Sequence, residues 1–260
     1  MRVQSMARLA EKLAAIDRRG YKTYLELLGA YAGPDFDLFF DHIQGDPFAS
    51  PSRVRVRVPA HKHGIPSYLY RTRVRRVAAC DFLARQVAAA IRRLVKGHRG
   101  TGHSGLIAID HGGQEILERT AVALNDEWAE ARLAVGLPAA GRTILGQEAR
   151  TMLCEELPAV VRASLYYASL DARLFEEHVT LAEDQEAIRA ALERQGLVAF
   201  VGEGAILPRR SGVSDAPLPK DRAVAFVPPP SLTVTFDTPN RGPLRGMGIP
   251  AGVTLIVGGG

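Results

Sequence analysis

The spacing of apolar positions changes along the chain, and each change marks an element. Met6, Leu9, Leu13 and Ile16 recur every three or four residues, which predicts a helix from about Gln4 to Ile16. A second short helix is expected over Tyr21 to Tyr31, closed by Gly33-Pro34. Phe36, Leu38 and Phe40 then alternate with Asp35, Asp37 and Asp41, the period of a half-buried strand. The clearest alternation follows: Val54, Val56 and Val58 interleave with Arg53, Arg55 and Arg57, so the valines face a core and three guanidinium groups face away. Beyond a loop at Pro59 to Pro66, Arg71, Arg73 and Arg75 repeat the pattern with Arg76 adjacent. If the two segments pair, they form a ribbon with six arginines on one face. Like charges opposed across a sheet are unfavourable, so such a ribbon demands a counter-charge, from Asp35, Asp37 and Asp41 or from a bound polyanion.

Leu83, Val87, Ile91 and Leu94 form the stripe of a long helix expected from Val77 to Lys96. Strands are expected at Leu106 to Asp110, Thr120 to Leu124 and Ala131 to Leu137. A helix from Gly146 to Ala168 should bend near Pro158, and another should run from Glu183 to Gln195, ended by Gly196. Leu197 to Val201 reads as a buried strand. From Ala223 the texture shifts to short strands, Ala223 to Val227 and Ser231 to Phe236, split by three prolines. The last apolar run, Gly252 to Val257, reads as a buried strand that delivers the chain into Gly258-Gly259-Gly260. The fold class is α+β: a mixed domain over residues 1–222, then the opening strands of a second domain from 223 to 260.

Composition narrows the setting. At 260 residues and 47% hydrophobic, the chain is long enough for one large or two modest cores. No apolar run is long enough to span a bilayer and no signal-peptide core opens the sequence, so no membrane and a cytoplasmic location are expected. Cys80 and Cys154 lie far apart, which predicts neither a disulfide framework nor a cysteine metal site. The charge is uneven. Residues 53–99 hold 13 Lys or Arg against the single acid Asp81, a net of +12 within a chain of +5, which leaves −7 elsewhere. A cluster of one sign in an otherwise acidic chain points to an anionic partner.

Other chemistry is weaker. Gly100-Thr101-Gly102-His103-Ser104-Gly105 matches G-x-G-x-x-G, but a helix precedes it and a strand follows, the reverse of a dinucleotide fold; it reads as a flexible, exposed basic loop. Asp110, His111, Glu115 and Glu118 suit a solvated turn better than a metal site, and so does His61-Lys62-His63. No catalytic or metal-binding residue is assigned.

Several blocks resemble the family of predicted ATPases of the ABC class. They are Gln44-Gly45-Asp46-Pro47-Phe48-Ala49 with Pro51-Ser52-Arg53-Val54-Arg55-Val56, Gly113-Gln114-Glu115-Ile116-Leu117-Glu118-Arg119, Val135-Gly136-Leu137-Pro138-Ala139-Ala140-Gly141-Arg142, Leu197-Val198-Ala199-Phe200-Val201, Ala205-Ile206-Leu207-Pro208-Arg209-Arg210-Ser211-Gly212 and the run from Gly246 to Gly260. In that family the last run leads into Tyr-His-Gly-Lys-Ser. The resemblance implies an ATPase that binds ATP with Mg²⁺ at a P-loop begun by Gly258, Gly259 and Gly260, with Phe236 as the aromatic stacked on adenine and a homodimer as the working form. It also implies that the lysine, the Walker B carboxylates and the ABC signature lie past residue 260, so that this stretch alone is not catalytically competent. Arg53, Arg55, Arg57, Arg71, Arg73, Arg75 and Arg76 are the expected grip on RNA or DNA. The alternative is a non-enzymatic nucleic-acid-binding or scaffold module.

Overall fold

The computed structural model describes residues 3–255 and 257. Contacts divide the chain into two units, one ending at His178 and the next beginning at Val179. The change of texture at Ala223 falls inside the second.

The first unit is built on a seven-stranded sheet. In chain order its strands are β1 (Gln4–Ser5), β2 (Gly29–Ala32), β3 (Asp37–His42), β4 (Ser52–Pro59), β5 (Ile107–Ala108), β6 (Val122–Leu124) and β7 (Trp128–Val135). In space the order is β1, β2, β3, β4, β7, with β5 and β6 both pairing with β7. Only β1 and β2 run parallel. The period-two reading of β4 holds: Val54, Val56 and Val58 are buried opposite Leu133, Ala131 and Ala129 of β7. Each valine taken out of water contributes roughly 1.5 to 3 kcal/mol, and the face they share fixes the register.

Helix α1 (Met6–Ala15) buries Leu9 and Leu13, as their spacing predicts, and the hydroxyl of Ser5 caps it by accepting from the Arg8 amide at 3.2 Å. The second short helix is a 3₁₀ segment over Tyr21–Leu27, and the chain then enters β2 instead of remaining helical to Tyr31. A single turn, α2 (Ala60–His63), follows β4.

The paired arginine ribbon does not form. Arg71 lies in a turn, and Arg73, Arg75 and Arg76 occupy the first turn of α3 (Arg73–Leu94). The alanine-rich run from Ala78 to Ala90 is strongly helix-forming, and it propagates back to a capping residue, Thr72, whose hydroxyl accepts from the Arg75 amide at 3.2 Å. That cap outweighs a short alternation of arginines. Replacing Thr72 by alanine should cost about 1 kcal/mol in a denaturant titration; an unchanged midpoint would show that the helix starts without it. The neighbours of β4 are therefore β3 and β7, both of which carry acids.

The glycine-rich loop is also not as expected. Arg99 and Ser104 are buried, and the loop is packed against β7 and its neighbours. A Cβ on Gly100 would stand 2.1 Å from the Ala139 carbonyl oxygen, and one on Gly105 1.8 Å from that of Gly97. Ser104 Oγ accepts from the Ala139 amide at 3.0 Å, and Arg99 is ion-paired to Glu148 and Glu156. The glycines serve close packing.

A small hairpin, β8 (Ala139–Ala140) with β9 (Thr143–Ile144), leads into α4 (Gly146–Thr151), a π-helical turn over Met152–Glu156, and α5 (Leu157–Leu165). Pro158 follows the π-helical turn inside a continuous run of helical backbone, so its missing N–H leaves a carbonyl of the preceding turn without its usual donor, and the wider turn over Met152–Glu156 coincides with that break in the ladder. Helix α3 packs against α5, β5 and β6. Helix α6 runs from Ala172 to Leu192, starting well before Glu183.

The second unit contains a three-stranded antiparallel sheet and a separate hairpin. The hairpin is β11 (Arg209–Ser211) with β12 (Ser214–Pro217). The sheet comprises β10 (Leu197–Gly202), β13 (Thr233–Thr238) and β14 (Gly242–Pro250), with β14 central. Strand β14 has no counterpart among the expected elements, and its three glycines and two prolines are unusual in a strand. Its glycines admit its neighbours: a Cβ on Gly246 would lie 2.4 Å from the Val201 carbonyl oxygen and 2.5 Å from the Phe200 ring. Two expected strands are absent. Ala223 to Val227 is irregular, and Val253, Leu255 and Val257 are exposed. An extended apolar run needs a neighbouring strand to satisfy its N–H and C=O groups. Among the described residues Phe226 exchanges one pair of backbone hydrogen bonds with Gly204 and Ala205, at 2.8 and 2.9 Å, which is too short a pairing to make a strand, and Val253 to Leu255 carry no strand pairing.

Candidate nucleic-acid interface and nucleotide loop

The outer face of the large sheet carries the arginines of β4, and its register shows what surrounds them. Arg55 stands between Phe39 on β3 and Arg132 on β7, and Arg57 stands between Asp37 and Glu130. Glu130 is the hub. Its carboxylate is 2% exposed and accepts from Arg55 Nη1 at 2.9 Å, Arg57 Nη2 at 2.7 Å and Arg132 Nε at 3.2 Å. Burial pushes the Glu130 carboxyl up, but hydrogen bonds from Arg57 and Arg55 outweigh it and hold the group below the usual carboxylate range. Arg55 also makes a two-point bond to Asp41, with Nε to Oδ2 at 2.6 Å and Nη2 to Oδ1 at 2.8 Å. That bond raises the arginine's own pKa further.

Aromatic rings complete a ladder along the face. The guanidinium carbons of Arg55 and Arg57 lie 4.7 and 5.2 Å from the Phe39 centroid, and Arg57 lies 4.5 Å from that of Trp128. Glu130, Phe39 and Trp128 are the residues that sequence reasoning passed over. The signal was present in Trp128, Glu130, Arg132 and Ala134, which alternate with buried positions along β7.

The seven expected arginines thus divide. Arg53, Arg71 and Arg76 are exposed and have no carboxylate within ion-pair distance among the described residues. Arg55 and Arg57 are half-buried and neutralised from within. Arg73 pairs with Glu118 at 2.6 Å across an exposed surface, and Arg75 is buried with Nη1 donating to the Tyr68 carbonyl. The structure brings Arg53, Arg55 and Arg57 together on β4 and places Arg71 to Arg76 on a different element. Beside Arg53 and Arg55 the outer face is hollowed into a trough of about 850 Å³, bounded by β4, β7, the end of β5 and residues 109–121.

The remaining polar residues are accounted for by local structure. Asp110 faces Arg119 at 3.5 Å and accepts from the Gly112 amide, and His63 is buried with Nδ1 accepting from the Ile65 amide. Burial lowers the pKa of His63 and pushes both cysteine thiols up to about 11, which keeps the thiols protonated. Buried Asp81 accepts from Arg85 at 2.6 Å and from His178 Nε2 at 3.1 Å. Among the described residues, no group of three His, Cys, Asp or Glu is placed to hold a metal. None of the described helices is long and apolar enough to cross a membrane.

For the nucleotide loop, Gly258, Gly259 and Gly260 lie outside the described residues. Phe236 is 3% exposed, and its ring and that of Phe200 meet in an edge-to-face arrangement with centroids 5.1 Å apart. The described residues by themselves do not form a phosphate cradle. Comparison with known proteins supplies the missing context. The family model for the N-terminal region of ATPases of the ABC class matches residues 6–168, and the model for the P-loop domain of ABC ATPases matches residues 171–260. No curated protein matches the chain. Since the first of these matches alone spans more than half of its length, the chain belongs to the family of ATPases of the ABC class.

Proposed function

We propose that the protein is a P-loop ATPase which binds ATP with Mg²⁺ at the loop begun by Gly258 and holds a nucleic acid, RNA or DNA, on its basic N-terminal unit. It works as a homodimer on this reading. The P-loop match supports the nucleotide half. One observation carries the other half: Arg53, Arg71 and Arg76 stay exposed and unneutralised in the segment of net +12, while their neighbours Arg55 and Arg57 are satisfied by Asp41 and Glu130. Exposed guanidinium groups held apart from carboxylates are the form of charge that displaces counterions from phosphates.

The test is the salt dependence of oligonucleotide binding. Three phosphate contacts with a single strand give a log-log slope of about −2, or about a twentyfold loss of affinity between about 50 and about 200 mM salt. Arg53→Ala, Arg71→Ala and Arg76→Ala should each flatten the slope by about 0.7. Arg57→Ala, which removes a cation already engaged by Glu130, should change it much less. Affinity independent of salt, or unmoved by all three exposed-arginine variants, would reject this reading.

A further inference from the structure

The trough on the outer sheet face has features that a surface gripping phosphates alone does not require. Its volume of about 850 Å³ lies within the range of about 300 to 1,000 Å³ common for small-molecule sites. Its cross-section follows from the register. Ala108 on β5 is opposite Ala134 on β7, and Ala134 is opposite Arg53 on β4, so three adjacent strands place two methyl groups and then a guanidinium group in one row. Strands are spaced about 4.8 Å apart, so the two alanines form a shelf wide enough for a planar ring. Arg132 lies two residues along β7 from Ala134, on the same face, so both cations border the shelf. On the remaining side Asp110 and Thr120 line the trough, Asp110 with weak contacts of 3.3 and 3.5 Å to the Gly112 amide and Arg119. A flat apolar shelf, two cations at one edge and oxygen acceptors at another match the ring, phosphate and hydroxylated sugar of a nucleotide.

We propose that this trough binds one nucleotide unit, with its ring on Ala108 and Ala134, its phosphate on Arg53 and Arg132, and its hydroxyls towards Asp110 and Thr120. The unit is either a free nucleoside phosphate or one residue of a nucleic-acid strand. For the second source the inference rests on the nucleic-acid reading above; for the first it stands alone. Arg132 Nε donates to Glu130, its same-face neighbour on β7, at 3.2 Å.

The experiment titrates the whole chain with nucleoside 5′-monophosphates and, separately, with a labelled single-stranded oligonucleotide. Both titrations are repeated with Ala134→Phe, which fills the shelf without changing any charge, and with Arg53→Gln. Each variant should weaken whichever ligand uses the trough by about tenfold, the scale of one lost base-stacking contact. Weakening of the oligonucleotide alone by Ala134→Phe identifies a strand residue as the occupant, and weakening of the monophosphate by either variant identifies a free nucleotide. If the oligonucleotide binds with the expected salt dependence but Ala134→Phe affects neither ligand, the trough is refuted and the nucleic-acid reading survives. If only the monophosphate binds, and the variants weaken it, the nucleic-acid reading falls and the trough stands. If nothing binds, both fall. Circular dichroism checks folding; should Ala134→Phe not fold, the smaller Ala134→Leu, which narrows the same shelf and leaves every charge in place, decides the matter.

Discussion

Replacing Glu130 by alanine is expected to lower the stability of the first unit by about 3 kcal/mol, the lower end of the range for removing one partner of a buried ion pair. Three arginines converge on this carboxylate, which is 2% exposed, and without it they repel one another across adjacent strands. The lower end applies because the arginines are themselves between a quarter and a half exposed and regain some hydration. In a thermal melt the loss corresponds to roughly 6 to 12 °C. A shift below about 2 °C would mean that the arginines relax into water and that Glu130 is not their anchor. The pH dependence has a definite sign. Folding holds this carboxyl below its unfolded value, so its contribution is complete above the usual carboxylate range and is lost as the pH falls through the lower folded value. Glu130→Gln should remove that share of the acid sensitivity, which a denaturant series run from neutral to acidic pH would show.

The second large effect is expected at Gly105. Its φ of +91° is disfavoured for any residue with a side chain, and a Cβ there would stand 1.8 Å from the Gly97 carbonyl oxygen and 2.9 Å from the Arg99 backbone nitrogen. Both contacts are with backbone, which cannot rotate away. Left-handed strain of about 1 to 2 kcal/mol and overpacking of about 1 to 3 kcal/mol together put Gly105→Ala at roughly 3 to 4 kcal/mol. Gly141 is the control, with a φ of +57° and nothing within 4 Å of its would-be Cβ. Gly141→Ala should cost only about 1 kcal/mol. Equal effects of the two substitutions in chemical denaturation would show that conformational strain, and not the packing of the loop, makes the glycine necessary.

Much of the first unit was legible because its elements have a clean period. The valines of β4, the Leu9 and Leu13 stripe of α1 and the Leu83 and Val87 part of the α3 stripe lie buried where their spacing puts them, while Ile91 and Leu94 at the end of that stripe are only half-buried. The α+β class followed from those elements, and the family resemblance from short, specific blocks. What period could not convey was competition. Arg71 to Arg76 alternate like a strand, yet a Thr72 cap and an alanine-rich sequel make a helix. Strand β14 looks too rich in glycine and proline to pair, yet close approach to β10 requires Gly246 to lack a side chain. The loop at Gly100 to Gly105 looks mobile, and its rigidity depends on partners as distant in sequence as Ala139 and Glu156. The site was half legible for the same reason. Arg53, Arg55 and Arg57 could be placed on one face, but which of them are free depends on Glu130, some seventy-five residues away in the chain.

The ladder on that face also gives the protein an internal optical probe. Trp128 is the single tryptophan, so all indole emission comes from one ring, and that ring is faced by the guanidinium group of Arg57 at 4.5 Å. Because Arg57 is held by Glu130, the emission reports whether the ion cluster is intact. A shift in its intensity or wavelength on acidification would therefore time the loss of the Glu130 pairings without any added label.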